Sequence, residues 1–129
     1  TMKYIALALA PLAVAALAPA AALALQQGPA ALNGEQLFRQ RCAMCHVVPA
    51  GRPQLLGPSL TGVVGRRAAS TSFATYSTAL RSSNIRWTRA NLDRFITAPA
   101  RMVPGTRMVV AVPDPAQRAA ILDYLARNR

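Results

Sequence analysis

The segment Cys42-Ala43-Met44-Cys45-His46 constrains this chain more than any other. It reads C-x-x-C-H, the attachment signature of a c-type haem. The spacing has a chemical reason. Two thiols three positions apart can each form a thioether to one vinyl group, and the histidine directly after the second thiol then lies under the iron and ligates it. The chain contains 2 Cys and 1 His, and all of them stand in this motif. Competing chemistries fare worse. A zinc site needs about four ligands, more than these residues supply. A Cys42–Cys45 disulfide would be a small structural loop or a thioredoxin-like site, and the latter expects a strand–helix–strand context. No convincing strand surrounds the motif.

His46 leaves one axial position of the iron open. With no second histidine, bis-histidine ligation is excluded within this chain. Methionine is the soft alternative, and a Met/His pair raises the reduction potential. Met44 lies inside the motif, on the wrong side of the ring. Met102 and Met108 flank Pro104-Gly105, in a proline-bounded segment between two helices. A loop presents a sulfur to iron more readily than a helix, but the chemistry alone does not choose between these two. Ordinary core packing is the commoner fate of either.

The rest of the chain reads as helices and loops. Residues 1–25 form a signal peptide or N-terminal membrane anchor: Lys3 supplies the positive end, and Tyr4 to Leu25 is almost wholly apolar. Ala22-Leu23-Ala24 resembles a small-residue cleavage site, and Pro11 and Pro19 interrupt the stretch, which favours cleavage near Ala24 over a retained tether. Either outcome exports the downstream domain, and an exported compartment tolerates paired cysteines. Residues 26–32 read as a linker, and residues 33–129 as one domain. Asn33 is a good N-cap for a helix from Gly34 to Arg41 that buries Leu37 and Phe38. Gly34 is a poor helix former and suggests a close helix contact. From Val47 to Arg67, Pro49, Gly51, Pro53, Gly57, Pro58, Gly62 and Gly65 exclude a long helix. This stretch reads as a loop wrapped round a flat cofactor, ordered by Leu55, Leu56, Leu60, Val63 and Val64. A short helix fits Thr75 to Ser82. Another, capped by Thr88, runs from Arg89 to Ala98 with Leu92, Phe95 and Ile96 on one side, and Pro99 stops it. Asp114-Pro115 starts a last helix that reaches about Asn128 and buries Ala119, Ile121, Leu122, Tyr124 and Leu125.

Charge narrows the class of partner. A formal net charge of +11 over 129 residues implies something acidic: a protein surface, an anionic membrane or nucleic acid. The basic residues are scattered and no nucleic-acid motif accompanies them, so an acidic protein surface is preferred. Lys3 is the only Lys, and the other basic residues are Arg.

Over residues 33–129 the chain resembles a class I cytochrome c of the mitochondrial and bacterial c2 type. The resemblance is carried by Cys42-Ala43-Met44-Cys45-His46, Gly57-Pro58-Ser59-Leu60, Gly65-Arg66, Phe73 with Tyr76, Trp87, Pro99, and Val103-Pro104-Gly105-Thr106-Arg107-Met108. It implies an all-α fold, with four to five helices and loops wrapped around one covalently bound haem c. It selects Met108 over Met102 as the second ligand to iron, opposite His46. It implies that the Pro58 carbonyl orients the ring of His46, and that Arg66, Tyr76 and Trp87 hold the haem propionates. Thr106 joins the cofactor-binding set with Cys42, Cys45 and His46. Gly34, Phe38, Ile121 and Tyr124 match the crossing of the first and last helices. Two positions depart from the pattern: Phe95 stands where the family usually has a tyrosine, and Leu80 where many members have an asparagine.

The function implied is one-electron transfer, not enzymatic turnover. Both axial sites are filled, so no substrate binds. Expected partners are acidic docking surfaces of a quinol:cytochrome c reductase and of a terminal oxidase or photosynthetic reaction centre, met through Arg41, Arg101 and Arg107. The expected location is the periplasm. A membrane-tethered subunit of a larger electron-transfer complex is an alternative. Another is a haem with an open sixth site that acts as a peroxidase or gas sensor.

Overall fold

Local sequence accounts for where each helix begins. In a computed structural model that describes residues 31–48 and 56–129, α1 spans Gly34–Arg41, α2 Thr78–Ser82, α3 Arg89–Thr97, α4 Pro99–Met102 and α5 Pro115–Arg127. Four of these starts carry a side-chain cap. Asn33 accepts from Gln36 N–H, Ser77 from Leu80, Thr88 from Asn91, and Asp114 from both Ala116 and Gln117. Each bond satisfies an amide that a helix start otherwise leaves unpaired. The expected segment at 1–25, most of the linker, and Pro49, Gly51, Pro53 and Leu55 of the wrapping loop lie outside the described residues.

Three expectations need adjustment. The helix drawn from Thr75 begins only at Thr78, because Ser77 is the residue whose hydroxyl can cap it. Pro99 ends α3 but also opens α4 as its first residue, since proline cannot donate an amide and its φ already suits a first turn. Ala119 is exposed, and Leu37, Ile96 and Tyr124 are only half-buried. In the loop region, Leu56 is 78% exposed, whereas Val63 is buried.

The core gathers Phe38, Val63, Trp87, Leu92, Phe95, Val103, Val112, Ile121, Leu122 and Leu125. Helices α1 and α5 cross at Gly34, where a methyl group would run into the Ala120 carbonyl and crowd Tyr124. The missing side chain is what lets the two helices touch. Phe38 and Tyr124 pack beside the crossing at a tilt of 43°, with ring centroids 5.3 Å apart. Helix α3 packs against both α4 and α5. Among the described residues no strand forms; one antiparallel bridge joins Arg67 and Arg86. No helix among them is long and apolar enough to cross a membrane.

Candidate functional site

Helix α1 delivers the cysteines. Its last turn continues into Cys42, whose amide bonds to Phe38 O, and the chain then tightens, with Cys45 N and His46 N both donating to Cys42 O at 3.1 and 2.9 Å. This turn carries the two thiols and the imidazole. The cysteines are not joined to each other, and both are half-buried. Burial pushes the Cys42 thiol up to about 11, partly offset by Arg41.

His46 is oriented from one side. Its Nδ1–H donates to the Pro58 carbonyl at 2.8 Å, which leaves the Nε2 lone pair for a metal. Burial lowers the pKa of the ring, and the Pro58 bond opposes that in part. The neutral ring is the form that binds iron. Gly57 makes this geometry possible. A Cβ there would lie 2.5 Å from His46 Cε1, so no side chain fits, and the Gly57 amide ties the loop back to Cys45 O at 2.8 Å. The motif reading did not single out Gly57 for this contact, although its place before Pro58 was the available signal.

The remaining expected contacts fall on three loops. Arg66 is half-buried and donates to the carbonyls of Thr61 and Ser59, each at 2.8 Å. Burial depresses its pKa, and Tyr76 counteracts this. Backbone bonds from Trp87 N to Arg66 O and from Gly65 N to Trp87 O, both 2.8 Å, pair this segment with that of Trp87, whose indole is buried. The rings of Trp87 and Phe95 pack at a tilt of 48°, with centroids 4.9 Å apart. The Tyr76 hydroxyl lies 2.6 Å from that of Thr71, and the Arg81 guanidinium sits 5.6 Å above the Tyr76 ring. On the third loop, Val103-Pro104-Gly105-Thr106 forms a turn closed by Thr106 N to Val103 O. Gly105 has φ +89°, the conformation a type II turn demands at its third residue. The turn sets Thr106 so that its hydroxyl accepts from Met108 N at 3.3 Å. Met102 and Met108 are both half-buried and pack against the core; Met44 is 81% exposed. Arg41, Arg101 and Arg107 are all exposed.

This donor set fits a covalent haem. Two thiols stand on one turn, a neutral imidazole has one nitrogen committed and one available, and the glycine facing the ring leaves no room for a side chain. Thioethers can be supplied at 102 and 108, and indole, phenol and guanidinium donors lie on the surrounding loops. Among the described residues no group of three or more His, Cys, Asp or Glu could hold a metal ion without such a macrocycle.

Comparison with known proteins gives the same answer. The family model described as cytochrome c matches residues 31–128. Cytochrome c2 of Rhodomicrobium vannielii is 40% identical over 97 residues, covering 74% of this chain and 76% of that protein. Cytochrome c of Ginkgo biloba is 34% identical over 93 residues, covering 71% and 82%. The solved structure of cytochrome cH from Methylobacterium extorquens superposes with a TM-score of 0.68 at 34% identity, covering 75% of this chain and 97% of that one. The mostly helical architecture and the Cys42/Cys45 spacing agree with that match. The chain is a carrier of electrons on a covalently attached haem c and belongs to the cytochrome c family.

Proposed function

We propose that this chain is a periplasmic one-electron shuttle whose iron is held between His46 and Met108. Cys42 and Cys45 form the thioethers. The observation that carries this reading is the His46 ring, with Nδ1 engaged by Pro58 O at 2.8 Å on the turn that also bears both thiols. Pro58 holds the ring's orientation and makes it more electron-rich. Arg66, Tyr76 and Trp87 receive the propionates, since a carboxylate in low dielectric needs donors or a cation, and Thr106 joins them in the cofactor pocket. With both axial positions filled by protein, the iron changes charge without exchanging ligands, and the protein catalyses no reaction of its own.

Residues 33–129 form the carrier domain, and residues 1–25 an export signal or anchor joined by the linker 26–32. The carrier meets acidic faces of a quinol:cytochrome c reductase and of a terminal oxidase or photosynthetic reaction centre, with Arg41, Arg101 and Arg107 at the contact. The test is an absorption spectrum of the oxidised and reduced protein, with carbon monoxide added to the reduced form. The reading expects thioether-haem bands, the weak sulfur-to-iron band in the ferric state, and no carbon monoxide binding at neutral pH. Rapid carbon monoxide binding would move the protein to ligand chemistry.

A further inference from the structure

We propose that Arg118, braced by Asp93, is a positioning residue that keeps Met108 on the iron by clamping the far end of its loop; this rests on the His46/Met108 ligation. The loop from Val103 to Pro113 is secured differently at its two ends. At its start, the Pro104-Gly105 turn and buried Val103 hold it, and Arg107 donates to Thr75 O at 3.1 Å. Beyond Met108 the chain is poorly held by packing. Val109 is 89% exposed and Val110 38%.

The first firm anchor after Met108 is Val112. Its side chain is buried, its N–H donates to Ile96 O at 2.8 Å, and its carbonyl accepts from Arg118 Nη1 at 3.1 Å. The same Nη1 donates to Pro113 O at 2.7 Å. Arg118 Nε is turned to Asp93 Oδ1 at 2.8 Å. One guanidinium therefore joins α3, α5 and the end of the loop. Its side chain is only 12% exposed, although Asp93 is 42% exposed, and bonds from a charged donor are stronger than neutral ones. Val112 follows Met108 by four positions, a span of at most about 14 Å. Release of that end lengthens the free segment and lets the sulfur leave the iron.

The test uses the haem-loaded protein with imidazole as a competing ligand for the ferric iron. Arg118→Ala is expected to bind imidazole about tenfold more tightly than the parent, and to weaken the sulfur-to-iron band, because it removes bonds made by a charged donor. Asp93→Asn leaves the two carbonyl bonds in place and is expected to give a smaller gain, about threefold; it serves if Arg118→Ala does not accumulate. Asp123→Asn breaks the exposed Arg89–Asp123 pair, which does not touch the loop, and is expected to leave imidazole affinity unchanged. Parental affinity in Arg118→Ala, or in Asp93→Asn where Arg118→Ala is not obtained, would overturn the clamp. So would an equal gain in Asp123→Asn, which would mark a general loss of stability. Absence of the sulfur-to-iron band from the parent protein would instead overturn the ligand assignment itself.

Discussion

Gly57 and His46 show how little freedom a single residue has at this site. The space between Gly57 and the imidazole is already filled by the ring, so Gly57→Ala is expected to tilt His46 off the Pro58 carbonyl. The yield of haem-bearing protein should fall sharply, as read from the mass of the intact chain. Phe95 is the third such residue. It is buried against Trp87 and brings no hydroxyl to the pocket. Phe95→Tyr is expected to shift the reduction potential; an unchanged potential would show that this position does not tune the iron.

Among the elements, the α1–α5 crossing governs stability. Gly34→Ala gains roughly 1 kcal/mol of helix propensity at most. It also drives a methyl into the Ala120 carbonyl, and overpacking of that kind costs about 1–3 kcal/mol. The second effect wins, because the obstacle is backbone and cannot rotate away. A lowered denaturant midpoint is expected. By contrast, the Glu35–Arg39 pair on α1 is exposed on both sides, and Glu35→Gln is expected to change stability by less than about 0.5 kcal/mol.

For the whole molecule, the distribution of charge matters more than its total. No acidic residue stands between Glu35 and Asp93, or between Asp93 and Asp114. The loops that carry the site are therefore purely basic. Three of the acids are consumed in ion pairs, and Asp114 caps α5. Docking to an acidic partner should then be fast and weak. Its rate is expected to fall several-fold as ionic strength rises from about 0.01 M to about 1 M, where the screening length shrinks from ~30 Å to ~3 Å. A stopped-flow rate insensitive to salt would remove the basic face from the account.

The sequence by itself determined the cofactor, the family and most helix limits, because those depend on local chemistry: thiol and imidazole spacing, capping side chains, proline and glycine. The choice of Met108 over Met102 needed the resemblance, since both sulfurs are half-buried at the core. What only the tertiary structure decided depends on contacts between distant segments. The Gly57 fit against His46, the Arg66 bonds to Ser59 and Thr61, the exposure of Ala119 and the Arg118–Asp93 clamp are of this kind. The clamp joins residues 25 positions apart, and neither carries a motif. Nothing local distinguishes Arg118 from any other arginine, and only packing α3 against α5 makes it a tether.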